Sequence, residues 1–439
     1  MNFFIHLIYL TTVHQIGSSY FAFPVPADLL FLPESGIMIP GVICSMIRIG
    51  QFTDTFLPIV DGVGRVVHAY SETLSQMGNQ VTVVAPMYNT GYQGGFPFQL
   101  VEFKAVGLPG FRQYRVGEAL LDSHYRQRIR MIDLDIVHAH SPFTAGSEAL
   151  RLAYQRKLPL VATFHSKYYD DFLKATRSES IARMGVKFVV NFYERCDEVW
   201  AVGKNTADVL REYGYRGEVQ IMPNGATLRD PKPSDVAEVT RRWNLGDDPL
   251  ILFVGQMDWK KNILTVLEAC AELKASGERF RLILAGQGID AQAIQEKINS
   301  LHLEDRAQMI GHISDTSLLD GLYARASLFA FPSLYDAAPM VVREAAVMYT
   351  PSVMVRGSTA SEAIHDGNGY LCENDPSDLA RVIRGALSDP ASLRETGRKA
   401  RETIPVPWPE LMKKAEERYL RLIELGKEGR LKDKKPRVI

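Results

Sequence analysis

Two carboxylates stand eight positions apart, Asp336 and Glu344, and the second lies among Met340, Val341, Val342, Ala345, Ala346, Val347 and Met348. A stretch apolar on nearly every side reads as a buried helix. Pro339 suits its opening, where a missing N–H costs little, and the helix is expected to run to about Thr350 and stop before Pro351. Buried Arg343 and Glu344 each need a partner, because an unpaired buried charge is costly. Neighbours in a helix do not face each other, so the two cannot simply pair. The apolar run before them, Ser327 to Phe331, reads as a buried strand. Asp336 then sits in the loop at the strand's end. Both carboxylates reach the crevice at the carboxyl edge of a parallel sheet, where α/β proteins bind ligands.

Other residues gather at such edges. Gly62 and Gly64 join a first strand to a first helix, where bare backbone amides suit an anion. His165 closes another strand. Lys261 stands at a helix opening, a poor place for a cation beside the positive dipole end unless it has a task. His138 and His140 alternate on one strand and share a face; they read as structural. Asp133-Leu134-Asp135 has the look of a metal-binding acid pair, yet it precedes a strand and belongs at the opposite edge, so no metal site is expected.

The order of these stretches resembles the retaining glycosyltransferases of family 4. Asp336, seven residues and Glu344 are similar to that family's E-x7-E motif, with Asp in place of the first Glu. The resemblance implies that Glu344 holds the nucleotide ribose and Asp336 contacts the donor sugar. It places Gly62 in a loop near the donor diphosphate, with Asp61 replacing the first of two paired glycines. It puts His165 near the reacting sugar and the acceptor. The stretch Gly255-Gln256-Met257-Asp258-Trp259-Lys260-Lys261-Asn262 resembles the family's Gly-Arg-Leu-x-x-x-Lys motif. Lys261 would contact the donor phosphates, and Gln256 departs from the usual Arg. One fixed cation is thereby lost, unless Lys260 or a residue of the first domain replaces it. Gly286-Gln287-Gly288 matches a Gly-x-Gly turn, and Gly311 falls where the backbone meets the nucleotide base. Ser358 to Gly369, with Glu362, reads as structural.

The 439 residues suffice for two or three domains, and 46% hydrophobic with 23% charged residues is ordinary for a globular protein. A formal net charge of −1 gives no basic field for nucleic acid. Cys44, Cys196, Cys270 and Cys372 lack metal or CxxC spacing and fit reduced thiols in the cytoplasm. No apolar run reaches transmembrane length. Residues 1–45 contain no Lys or Arg. They read either as a translation start placed too far upstream or as a membrane-leaning leader without the basic end of a signal peptide.

From Met46 onward strand and helix alternate. Strands are expected at Ile47–Phe52, Val81–Ala85, Ile136–His140, Leu160–His165, Glu198–Val202 and Val219–Met222, then at Leu250–Gly255, Leu282–Ala285, Gln308–Ile310, Leu328–Phe331 and Ser352–Val355. Two runs of βα units predict two doubly wound parallel sheets with flanking helices. The resemblance adds the GT-B arrangement: two Rossmann-like domains facing a cleft, with a last helix, Glu410 to Leu425, crossing back to the first. The expected divisions are a leader at 1–45, an acceptor-side domain at 46–225, a donor domain at 226–407, and a crossing helix and basic tail at 408–439. Asn224 to Val236, with Pro231 and Pro233, reads as the linker.

The expected activity is transfer of a hexose from a nucleotide sugar such as UDP-glucose, with retention and without a metal or other cofactor. The acceptor is expected to be a lipid or a sugar. Between Lys167 and Tyr193, Lys174, Arg177, Arg183 and Lys187 interleave with Phe172, Leu173, Ile181, Met184, Val186, Phe188 and Val189. This reads as a helix that lies on an anionic membrane or as a core-facing helix with a solvated basic face. Six basic residues from Lys427 to Arg437 would add to the membrane attraction. A peripheral place at the inner face of the membrane follows from the first reading. A soluble acceptor, or a non-catalytic nucleotide-sugar sensor, are the alternatives.

Overall fold

A computed structural model describes residues 46–57, 61–87, 94–108, 111–117, 119–365 and 367–434. Residues 1–45, with the leader expected there, and Lys435 and Arg437 of the basic tail lie outside the described residues. Residues 46–434 form one compact unit built on two sheets.

The first sheet contains β1 (Arg48–Phe52), β2 (Gln80–Pro86), β3 (Gln99–Phe103), β6 (Ile136–Ala139), β7 (Leu160–Phe164), β8 (Glu198–Ala201) and β9 (Val219–Ile221), with β4 (Ala105–Leu108) and β5 (Phe111–Gly117) forming a separate antiparallel pair. Its order is β3-β2-β1-β6-β7-β8-β9, parallel throughout. Helices α1 (Gly62–Gln76), α2 (Ser123–Arg130), α3 (Thr144–Arg156), α4 (Tyr168–Thr176), α5 (Glu179–Glu194) and α6 (Lys204–Glu212) connect these strands. The second sheet contains β10 (Leu250–Val254), β11 (Arg281–Ala285), β12 (Ala307–Gly311), β13 (Leu328–Ala330), β14 (Ser352–Val355) and β15 (Tyr370–Cys372). Its order is β12-β11-β10-β13-β14-β15, again parallel. Helices α7 (Pro233–Arg242), α8 (Ile263–Ala275), α9 (Ala291–Ser300), α10 (Thr316–Arg325), α11 (Met340–Val347), α12 (Pro376–Ser388), α13 (Pro390–Thr403) and α14 (Trp408–Lys427) complete the chain. The two doubly wound sheets of the GT-B arrangement are therefore present. The strands read as apolar runs because parallel strands covered on both faces are buried throughout.

Each sheet reverses its winding once, between β1 and β6 in the first and between β10 and β13 in the second. Loops diverge at the carboxyl ends there, and a crevice opens. Helix α14 returns to the first domain: Trp408, Leu411, Met412, Ala415, Tyr419 and Leu422 share a core with Ile49, Val67, Tyr70, Val83 and Trp200. Where the chain crosses between domains, its two passes run side by side. The Ala226 N–H donates to Val406 O at 2.8 Å, and the Trp408 N–H to Ala226 O at 3.4 Å.

Several expectations need correction. The linker is shorter than residues 224–236, since α7 opens at Pro233 with the ring in its first turn. Helix α11 ends at Val347, and Tyr349 turns left-handed at φ 62° before Pro351. Lys167 to Tyr193 is two helices, because Arg177 turns left-handed at φ 52° and Ser178 caps α5. In the tail, Lys434 is buried against Asp197 at 2.7 Å, while Lys427 pairs with Glu424 and Arg430 with Glu428. Much of the tail's charge is thus answered within the chain. Among the described residues no helix is long and apolar enough to cross a membrane.

Candidate active site

Lys261 and Asp336 meet at the reversal point of the second sheet. After β10 the chain makes a short 3-10 turn, Trp259–Lys261, whose start Asp258 caps by accepting the Lys260 N–H at 3.0 Å. Asn262 follows at φ 61° and opens α8. This turn aims Lys261 into the crevice, where Nζ lies 2.7 Å from Asp336 Oδ1. The other Asp336 oxygen accepts the Ser333 hydroxyl at 2.6 Å. The loop after β13 is held from beneath by Asn262, which donates to Pro332 O at 3.0 Å. Lys260 and Lys261 both stand over the Tyr335 ring, at 4.4 and 5.3 Å from its centre. Burial, followed by the charge of Lys261, pulls the Lys260 ammonium below its ordinary pKa.

Glu344 is buried on α11, and both its oxygens are engaged. Tyr323 donates to Oε2 at 3.2 Å, and Oε1 forms an ion pair with Arg65 of α1. Sequence reasoning missed Arg65. Arg343, adjacent to Glu344 on α11, turns elsewhere, with Nε donating to Asn224 O at 2.9 Å. Burial lowers the Arg343 guanidinium to about 10. The expectation that these neighbours do not pair with each other holds.

The two domains touch where these groups lie. Lys167 Nζ donates to Leu334 O at 3.1 Å, and Tyr335 donates to the Asp171 carboxylate at 2.6 Å. The segment that follows His165 therefore meets the segment that leads into Asp336. Farther along, Glu362 accepts the Lys204 and Asn205 N–H groups at 2.6 and 2.8 Å and caps α6 from the opposite domain. Glu362 is structural as expected, with the structure it supports being the domain contact.

His165 stands at the end of β7, 8% exposed, and burial lowers its pKa to about 3. It is neutral at physiological pH. His138 and His140 lie side by side with ring centres 4.1 Å apart, as their alternation implied.

The Gly62–Gly64 loop departs from expectation. Asp61 accepts the Gly64 N–H at 2.6 Å, so that amide is not offered to an anion. A Cβ on Gly64 would meet Thr55 O at 3.2 Å and Phe56 Cα at 3.3 Å. Gly64 therefore serves close packing of the loop on the helix. Gly62 has open space around it. In the second domain the Gln256 carbonyl accepts the Asp258 N–H at 2.9 Å, and Gly311 O accepts the Gly286 N–H at 2.8 Å. Gly286, at φ 145°, presses on the backbone of Gly255 so closely that no side chain fits. The Asp133–Asp135 pair lies at the amino edge, as expected, where Arg48 is bound to both acids, at 3.1 and 2.6 Å.

Residues 60–229 match the model of glycosyltransferase family 4, and residues 236–403 match that of glycosyl transferases group 1. The chain belongs to glycosyltransferase family 4. This glycosyltransferase is 25% identical over 352 residues to alpha-monoglucosyldiacylglycerol synthase of Streptococcus pneumoniae, covering 77% of this chain and 78% of that one. It is 23% identical over 398 residues to the synthase of the same name from Acholeplasma laidlawii, covering 86% and 98%. The crystal structure of Anabaena Alr3699/HepE in complex with UDP-glucose shares the fold at a TM-score of 0.68, with 17% identity over 85% of this chain and 99% of that one.

Proposed function

We propose that this glycosyltransferase moves a hexose from a nucleotide sugar such as UDP-glucose to a lipid hydroxyl at an anionic membrane surface, with retention and without a metal ion. The observation that carries this reading is the Lys261–Asp336 contact at the sheet's reversal point, with Glu344 eight positions on in the helix that follows. A cation for the departing diphosphate and a carboxylate for the sugar stand 2.7 Å apart, which matches the two sides of the bond to be broken. Negative charge grows on the diphosphate as that bond breaks, and preorganised donors stabilise it. Lys261, Lys260 and Arg65 are the candidate cations, and the last two answer the loss implied by Gln256. Glu344 would hold the ribose, Gly311 the base, and Gly62 would offer its amide. His165 orients a hydroxyl; at a pKa of about 3 it is too weak a base to take the acceptor's proton. That proton passes to the leaving phosphate oxygen on the same face, so the anomeric configuration is kept.

The lipid acceptor is favoured by the relatives whose names specify glucosyldiacylglycerol synthesis. It is also favoured by α5 and the turn before it, where Arg177, Arg183 and Lys187 are exposed, as is Met184 at 53%, while Lys174 turns to Asp258 of the second domain at 3.9 Å. The test is transfer from radiolabelled UDP-glucose to diacylglycerol in anionic vesicles with EDTA present, read with product NMR. Retained configuration and salt-sensitive vesicle binding are expected. An inverted product, or activity abolished by EDTA and restored by manganese, would overturn the reading. Equal binding to neutral vesicles would remove the membrane part of it.

A further inference from the structure

Six buried polar side chains form one line through the first domain. His165 Nε2 lies 3.0 Å from His140 Nδ1, and His140 Nε2 lies 2.7 Å from Gln51 Oε1. Gln51 Nε2 points to the Tyr419 hydroxyl at 3.4 Å. That hydroxyl meets His138 Nδ1 at 2.6 Å, and His138 Nε2 meets Thr163 Oγ1 at 2.7 Å. Gln51, His138, His140 and Tyr419 are each 0% exposed, so bulk solvent does not reach their bonds.

Burial keeps all three histidines neutral. A neutral imidazole has one N–H and one lone pair, so the line has a direction. The 2.7 Å contact between His140 and Gln51 suits an N–H donating to a carbonyl oxygen. Reversing the amide would face two nitrogens at that distance, inside their normal approach. The 3.4 Å contact to Tyr419 suits a weak amide donor and is long for a hydroxyl donating to oxygen. His140 therefore donates from Nε2 and offers its Nδ1 lone pair to the His165 Nε2–H. His165 Nδ1 is left with a lone pair, and no described residue donates to it.

We propose that Gln51, anchored by Tyr419 of the C-terminal helix, is a positioning residue that fixes His165 in its Nε2–H form and presents Nδ1 as an acceptor for a substrate hydroxyl. This rests on the reading that His165 faces the reacting centre. A hydrogen-bond line of this kind sets a tautomer far from the group that anchors it. It couples the C-terminal helix to the polarity of His165.

The test is nitrogen NMR of the full chain labelled at histidine, with the His165 signals assigned by their loss in His165→Asn. The wild type is expected to show a protonated Nε2 and a bare Nδ1 at His165. Gln51→Leu should give a mixture of tautomers and lower kcat about 5- to 10-fold, the scale of one neutral hydrogen bond, with donor KM nearly unchanged. Tyr419→Phe removes a single hydroxyl, and it serves should Gln51→Leu fail to fold; it too should mix the tautomers. If donor hydrolysis without acceptor falls in step, the hydroxyl belongs to the donor; if only transfer falls, it belongs to the acceptor. A proton on His165 Nδ1 in the wild type, or a Gln51→Leu enzyme with unchanged tautomer and kcat, would overturn the proposal. Full turnover by His165→Ala would instead refute the reading of the site, while the tautomer measurement still stands.

Discussion

Lys261 Nζ lies 2.7 Å from Asp336 Oδ1, joining across the reversal point of one sheet two residues that are 75 positions apart in the chain. Because each side chain holds the other in place, their substitutions should not be independent. Lys261→Ala is expected to lower kcat by roughly 10²–10³-fold, the scale for one preorganised charge-stabilising donor. Asp336→Asn should lower turnover with little change in donor KM. The double variant should lose much less than the product of the two. Steady-state kinetics on the four proteins of the cycle decide this, and strict multiplicativity would separate the two roles.

Glu344 offers a contrast in kind. Its expected partner, the ribose, is the same in ground and transition states, so Glu344→Gln should mainly raise donor KM. Arg65 occupies one oxygen of the same carboxylate. If Arg65 also serves the diphosphate, Arg65→Ala should weaken UDP binding by about tenfold or more, in the range of a charged hydrogen bond. Uridine, which has no phosphate, should bind at least as well as before. Calorimetry with the two ligands separates these roles. Equal weakening of both would remove Arg65 from the phosphate site.

Asp61 puts a carboxylate at the opening of α1, beside Gly62. Asp61→Asn keeps an acceptor for the Gly64 N–H and removes the charge. Donor KM should then fall a few-fold, while the melting temperature drops slightly, because an acid at a helix N-terminus contributes about 0.3–1 kcal/mol. A variant with weaker donor binding would show that the diphosphate does not approach this loop.

Three buried neutral histidines make the fold sensitive to mild acid. His165 is lowered to about 3, and His138 and His140 well below their ordinary value, all chiefly by burial. The unfolded chain takes up protons near pH 6.5 that the folded chain refuses. Their contribution to stability is therefore full above about pH 6.5 and falls as pH drops toward the folded values, by up to about 4 kcal/mol per pH unit when all three act together. Melting temperatures between pH 7 and 4.5 should decline steeply, before most carboxylates titrate. A flat profile in that window would contradict the buried line.

What could be read in the chain followed the range of the interactions. Strands such as Leu250–Val254 and Leu160–Phe164 are apolar runs, legible because both faces are covered. β3 and β15 were not expected, unlike the other two edge strands, β9 and β12: β3 carries Gln99 and Glu102 among its five residues, and β15 is only three residues long. Helices α12 and α13 were also not among those expected, although Asp375-Pro376 and Asp389-Pro390 carry a cap and a first-turn proline. The break at Arg177 was hidden by the continuous basic and apolar alternation. Lys261, Asp336 and Glu344 were legible through local context and motif spacing. Arg65 was not, because its partner lies 279 positions away and meets it only when two domains face each other. The obstruction of Gly64 by Asp61 was a three-residue matter, open to view as a helix cap and overlooked beside the resemblance to a glycine pair.

Helix α14 gives the chain an unusual order of completion. Its Trp408, Met412 and Tyr419 belong to the core of the domain that is synthesised first. On the ribosome the second domain, whose own core runs from Ala226 to Ile404, is fully emerged before the first has its last wall. A chain stopped before Trp408 would expose Tyr70 and Trp200 and leave His138 without the Tyr419 hydroxyl, while carrying a finished donor domain. Such a fragment would show greasy surface to chaperones and proteases. The core of the first domain is thus closed only by a helix that follows the whole second domain in the chain.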